Sequence, residues 1–408
     1  MRSYKIIVLG ASGSGKTVYL ASLYKHLLAP DSDSGLFLKV DDAQRKKLLD
    51  IYTHVEDPKM EWPSGTDYRE ITEWTFMCSV ATDEQPSGHD ALHFSYLDYA
   101  GGRITNADAT KADPLSAAFT QHLNEADIFL GFLDGQKLLA LLRGEPAGGR
   151  FLKSDLANIL GIMQLRGKPA QFVITKWDLL EAQAPAGADN NQILEMIRDR
   201  LLKDETFRRF VHKRARQGLP VRLIPVSAVG PGFAQLQPDG RMQKNPGVEP
   251  HCFQVEVPLM SVVIDQFKAC IKYREGYRDT IKNSPPQHVK PAYSKRDNLG
   301  HYAAIALSFA APPLIILSIL LGSPVAGLQR ESVNEVLKYL ESGRSARQLE
   351  AQKQEKAQSE AQAATLAATH DHLTAERHAV ASFVERLKRL EQAFPASDLS
   401  SVKAEAHS

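Results

Sequence analysis

Cysteine is scarce in this chain of 408 residues, and the three that occur, Cys78, Cys252 and Cys270, are odd in number and have no metal-binding spacing. That pattern excludes a disulfide-stapled secreted scaffold and a cysteine-ligated zinc site, and it fits a reducing compartment. Excess charge of either sign is missing too, since the formal net charge is +1. Without a global field to draw the chain onto a polyanion, nucleic acid is not an expected partner. No signal peptide is expected, because a core-like apolar run begins at Ile6. Long apolar runs are absent with one exception, Tyr302 to Leu321, twenty residues without a charge. From Glu331 onward the chain is nearly free of glycine and proline, the residues that interrupt helices. The length allows two domains or more.

What is present begins with Gly10-Ala11-Ser12-Gly13-Ser14-Gly15-Lys16-Thr17. This stretch follows the apolar run Ile6-Ile7-Val8-Leu9 and precedes Val18, Leu20, Leu23, Leu27 and Leu28 at helical spacing. Strand, G-x-x-x-x-G-K-[ST], helix is the context a phosphate-binding loop requires. Gly10, Gly13 and Gly15, with Ser12 and Ser14 between them, let consecutive backbone N–H groups curl round a phosphate without Cβ clashes. The helix start adds its positive dipole end. Lys16 is then expected to reach the β- and γ-phosphates and Thr17 to offer its hydroxyl to Mg²⁺.

Further along, Ile71 to Val80 alternates as a strand should, and turn-rich Asp83 to Gly88 leads to a second strand, Leu92 to Leu97. The two predict an antiparallel hairpin. The second ends in Asp98-Tyr99-Ala100-Gly101, an acidic residue at a strand's carboxyl end beside a phosphate loop. Asp98 would hold a water on Mg²⁺, and the N–H of Gly101 would meet the γ-phosphate. A helix over about Leu115 to Asn124 and a strand over Ile128 to Leu133 follow. The buried strand Phe172-Val173-Ile174 runs into Thr175-Lys176-Trp177-Asp178. A long helix, Ile193 to about Arg216, leads to the strand Val221 to Val226, which ends at Ser227-Ala228. Strands alternating with helices predict an α/β fold, a mainly parallel sheet covered on both faces, with ligands outside the strands' carboxyl ends.

In this ordered set the sequence resembles the Ras-like, translation-factor-class GTPases: the P-loop at Gly10 to Thr17, D-x-x-G at Asp98 to Gly101, [NT]-K-x-D at Thr175 to Asp178, and the S-A pair at Ser227 and Ala228. The resemblance covers about residues 4 to 275. The P-loop wording followed by Tyr-Leu-Ala-Ser-Leu-Tyr also resembles bacterial GTPases of conflict and signalling operons. It implies GTP or GDP with Mg²⁺ as ligands, and slow hydrolysis that switches affinity for a partner protein. Chemistry supports guanine independently, because a carboxylate at Asp178 can accept from both N1–H and N2–H₂ and adenine offers no such pair. The stem of Lys176 would lie across the base and the N–H of Ala228 would donate to O6, while Thr175 stands where Asn is commoner. Thr66 is the expected switch threonine on the metal, with Thr72 as runner-up. Gly102, after D-x-x-G, cannot orient the attacking water as the Ras family's Gln does. A nucleotide-binding scaffold with negligible hydrolysis is therefore a second reading, and a P-loop ATPase a third.

Past this expected GTPase domain, 1–271, lies a linker over 272–298 with a local excess of +4, suited to anionic lipid headgroups. The apolar run, placed at 299–323, is long enough to span the ~30 Å hydrocarbon layer. Flanking charges put the GTPase domain in the cytoplasm and the tail across the membrane. Pro312-Pro313 leaves open a bent segment that returns to the same side, and a buried soluble helix is the other alternative. The tail, 329–395, carries Leu366, Leu373, Val380, Leu387 and Phe394 at heptad spacing. It reads either as a coiled coil through which copies self-associate or as a single solvated helix.

Overall fold

The computed structural model describes residues 3–65, 71–83, 85–99, 114–283 and 328–399. Strand β1 (Ser3–Leu9) runs parallel to β4 (His89–Tyr99) on one side and to β5 (Ile128–Asp134) on the other. Beyond β5, strands β6 (Ala170–Thr175) and β7 (Leu223–Pro225) continue in parallel. Beyond β4, strands β3 (Ile71–Val80) and β2 (Leu36–Lys39) are each antiparallel to their neighbour. The order across this seven-stranded sheet is β2-β3-β4-β1-β5-β6-β7.

The burial of each strand follows from its side chains. Every residue of β5 and β6 is buried, as expected for near-continuous apolar strands covered on both faces. β3 alternates instead, with Trp74 and Phe76 inward and Glu73 and Thr75 exposed, and Phe76 stacks on Phe94 of β4 at 5.0 Å between centroids. The expected hairpin is this β3–β4 pair.

The helices are α1 (Lys16–His26), α2 (Asp42–Glu56), α3 (Pro114–Glu125), α4 (Gly135–Leu142), α5 (Pro146–Arg150), α6 (Ala157–Arg166) and α7 (Trp177–Ala182). A π-helical turn over Phe151–Leu156 joins α5 to α6. The single helix expected from Ile193 to Arg216 is two, α8 (Asn190–Leu202) and α9 (Glu205–Arg216). Its apolar period is continuous, but Asp204 accepts from the Phe207 N–H at 2.9 Å. That side-chain cap starts a new helix where the old one ends.

The tail required the largest correction. α10 (Val257–Asn283) closes the sheet domain and runs on into the expected linker, and α11 (Leu328–Ala393) is one long helix. The chain forms two compact units: residues 1–273 with 372–408, and residues 274–371. The expected 329–395 tail is thus divided, and its carboxyl-terminal part belongs with the sheet. Leu373, Phe383, Leu387, Leu390 and Phe394 are buried in the same core as the strands. Phe383 meets Phe267 of α10 edge-on at 5.4 Å. Burying these side chains contributes on the order of 10 kcal/mol before ordering entropy is subtracted. The lower heptad stripe is therefore an intramolecular seam, and neither a solvated helix nor a free coiled-coil face describes it. Charge pins it as well: Arg386 reaches Asp31 at 2.9 Å and Glu256 at 3.2 Å.

Among the described residues no helix is long and apolar enough to cross a membrane. The apolar run at 299–323 lies outside the described residues. Leu373, Phe383, Leu387, Leu390 and Phe394 of the tail are buried in the sheet's core, so this packing predicts that the end of the tail lies on the same side of any membrane as the sheet. Cysteine labelling reads this out directly. With the three native cysteines removed, Ser87→Cys and Ser359→Cys, both at exposed positions, should share one fate with a membrane-impermeant maleimide on intact cells. Labelling of position 359 alone would contradict the packing.

Candidate functional site

The loop between β1 and α1 takes the shape its glycines permit. Gly13 and Gly15 have φ of 77° and 84°, left-handed values that side chains resist. Gly10 is needed for space, because a Cβ there would lie 2.7 Å from Ser14 Oγ and 2.9 Å from Phe132 Cβ. The Lys16 ammonium donates to the carbonyls of Gly10 and Ala11 at 3.0 and 3.3 Å. Burial pushes the pKa of Lys16 down to about 8, against the pull of Asp98. A bound polyphosphate would reverse that effect by supplying opposite charge.

Thr17 Oγ1 donates to Asp98 Oδ2 at 3.0 Å, and Asp98 is 3% exposed. Two hard oxygen donors beside a phosphate cradle suit Mg²⁺, which keeps waters and shares phosphate oxygens rather than sitting in an all-protein cage. No group of three or more His, Cys, Asp or Glu side chains suited to a metal occurs among the described residues. Thr72 is the ladder partner of Asp98 and lines a cleft with it, Thr17, Ser64 and Gly65. Thr66, Gly101 and Gly102 lie outside the described residues.

The Thr175–Asp178 stretch comes to the same place. Thr175 Oγ1 donates to the Ser14 carbonyl at 2.9 Å, tying it to the phosphate loop. Lys176 adopts a left-handed turn, φ 54°, and its Nζ pairs with Asp134 at 2.9 Å. Asp178 is 5% exposed and accepts from Ser227 Oγ at 2.6 Å. Burial raises its pKa, with the Ser227 hydrogen bond opposing. Ser227 Oγ also accepts from the Gly230 N–H at 2.8 Å, holding the loop that contains Ala228.

One cavity of about 380 Å³ is lined by Ser12 to Thr17, Thr175, Lys176, Asp178 and Ala228. It therefore joins the sequence-predicted phosphate, metal and base residues apart from the undescribed positions and Gly10, Asp98 and Ser227, which are hydrogen-bonded to its lining residues Lys16, Thr17 and Asp178. Sequence reasoning missed its lid. Trp62, Pro63, Ala234 and Met242 also line it. The last two belong to a small hairpin, β8 (Ala234–Leu236) and β9 (Met242–Lys244). Trp62 Nε1 donates to the Met242 carbonyl at 2.7 Å. Lys244 lies over the Trp62 ring and donates to the carbonyls of His54, Asp57 and Met60, which holds the segment after α2. The turn Asp239-Gly240 between two short runs was the available signal for that hairpin.

No family model matches the sequence, and no curated protein matches it. Among solved structures, the chain is similar to the signal recognition particle receptor SRb-GTP/SRX complex from Chaetomium thermophilum. The identity is 15% and the TM-score 0.33, over 57% of this chain and 94% of that one. It is also similar to Sup35 complexed with GDP, at 15% identity and TM-score 0.28 over 56% of this chain and 37% of that one. A third is the S. cerevisiae Ski7 GTPase-like domain bound to GTP, at 15% identity and TM-score 0.32 over 61% and 47%. The chain thus spans less than half the length of the Sup35 and Ski7 chains. By its own strand order it has an α/β fold, a mainly parallel sheet with the sequence-predicted motifs gathered at the strands' carboxyl ends.

Proposed function

We propose that the protein binds guanine nucleotides with Mg²⁺, hydrolyses GTP slowly, and uses the bound state as a switch for a partner protein. The observation that carries this reading is one cavity holding both a glycine-rich phosphate loop and a buried carboxylate, Asp178, fixed by Ser227. Lys16 neutralises the β- and γ-phosphates, and Thr17 with Asp98 would hold the cation, which supplies charge neutralisation when bound. Asp178 accepts the N1–H and N2–H₂ edge, the Lys176 stem covers the base, and the Ala228 N–H meets O6. Thr66, with Thr72 as the runner-up, would offer a further oxygen to the cation, and the Gly101 N–H would meet the γ-phosphate. The bound nucleotide would thereby alter the surface a partner reads.

The basic linker and the uncharged run at 299–323 support membrane association, with the nucleotide domain in the cytoplasm, where GTP is. Since residues 372–399 share a unit with the sheet, this reading favours the alternative in which both flanks of the run lie on the cytoplasmic side. Gly102 favours the second reading, a nucleotide-dependent scaffold, to the extent that hydrolysis is absent.

Two measurements test the site. Asp178→Asn should weaken GDP by at least about 100-fold, the loss of two charge-assisted hydrogen bonds of about 1.5–3 kcal/mol each. The same variant should favour xanthine nucleotides, whose 2-oxo group complements the amide; unchanged GDP affinity would remove Asp178 from the base site. Single-turnover hydrolysis by the full chain should run well below ~1 s⁻¹, since Gly102 cannot orient water. A faster rate would assign that role to another residue in cis, and a rate at background would favour the scaffold.

A further inference from the structure

The guanine-motif residues are supported from behind by the far end of the chain. Phe394, 3% exposed, meets the Trp177 indole edge-on, with centroids 5.9 Å apart and planes at 80°. Trp177 is the fully buried residue between Lys176 and Asp178. Its backbone N–H donates to the Val226 carbonyl at 3.1 Å, and its Nε1 donates to Glu181 and Asn190 at 3.2 and 3.3 Å. The Phe394 ring also lies 6.3 Å from Phe253. Phe253 exchanges backbone hydrogen bonds with Ser227 at 3.1 and 2.7 Å. One aromatic ring therefore backs both stretches that deliver base-recognition groups.

The residues after Phe394 extend that support. The Ala396 N–H donates to Asn191 Oδ1 at 3.0 Å, and the Leu399 N–H donates to the Val221 carbonyl at 3.0 Å. Arg222 and Asp398 form an antiparallel bridge there. This short segment covers the open edge beyond β7, the strand that leads to Ser227. A left-handed backbone at Lys176 persists only when its surroundings over-determine it, and a bidentate carboxylate needs placement within about 0.5 Å.

We propose that Phe394 is a positioning residue for the guanine base, acting through Trp177 and Phe253, so that docking of the carboxyl-terminal segment sets how long a nucleotide stays bound. The inference rests on the guanine-nucleotide reading above. Removing the ring lets Trp177 relax into the space it leaves, which tilts the Lys176–Asp178 turn away from the base. The effect falls on dissociation, because differences among variants of one site lie mostly in the off-rate. A disturbance that undocks the segment from a distance would release nucleotide by the same route.

Phe383 supplies the control. It is fully buried in the same seam, where its ring pairs edge-on with Phe267 rather than with Trp177 or Phe253. The experiment displaces a fluorescent N-methylanthraniloyl-GDP from the full chain with excess GDP and records thermal midpoints alongside. Phe394→Ala should release the probe about tenfold faster, and Phe394→Leu, which keeps most of the volume, about threefold faster. Phe383→Ala should lose comparable thermal stability yet release within about twofold of wild type. Wild-type rates in both Phe394 variants would overturn the proposal, as would equal acceleration by Phe383→Ala. If Phe394→Ala does not fold, Phe394→Leu decides alone on the same criterion. A wild-type chain that fails to bind the probe sinks the guanine reading itself, and this inference with it.

Discussion

The buried hydrogen bond from Thr175 Oγ1 to the Ser14 carbonyl, at 2.9 Å, is the constraint on which the site depends. It joins the carboxyl end of β6 to the phosphate loop, two segments far apart in sequence. A second, longer bond from the same hydroxyl reaches the Leu133 carbonyl at 3.3 Å. Asp178, three residues on, lines the same cavity as the loop so held. Because Thr175 is buried, removing its hydroxyl would strand a carbonyl without water to replace it, which costs about 1–3 kcal/mol. The glycine loop and the Thr175–Asp178 stretch are in this sense one rigid object.

Around that object the chain adds supports on two sides. The β8–β9 hairpin and Lys244 hold Trp62 over the cavity from the side of α2. The end of α11 holds Trp177 and Phe253 from behind. The Arg386 pairs with Asp31 and Glu256 tie that same helix to the loop after α1 and to the residue before α10. Nucleotide domain and tail are consequently not a module and an appendage.

Much of the site was legible because its chemistry is local. A glycine loop after an apolar run, or Asp98 at the end of a strand, is readable in consecutive residues. The parallel sheet was legible for a related reason: strands buried on both faces, such as Phe172-Val173-Ile174, leave an uninterrupted apolar run. What was not legible depends on partners distant in sequence. The heptad at Leu373, Leu387 and Phe394 specifies a seam but not which surface fills it, and Phe267 and Trp177 fill it here. Trp62 carried no motif, and its place over the cavity comes from a carbonyl at Met242. The split between α8 and α9 turned on one capping carboxylate, Asp204, within an unbroken apolar period.

Competition between nucleotides on the wild-type full chain tests the central claim most directly. With N-methylanthraniloyl-GDP bound in the presence of Mg²⁺, unlabelled GDP and ADP are titrated against it. A base site built around a buried carboxylate rejects a ligand that cannot pair with it by several orders of magnitude. The account predicts that GDP displaces the probe at concentrations at least about 100-fold below those ADP requires. Equal displacement by the two nucleotides would contradict it.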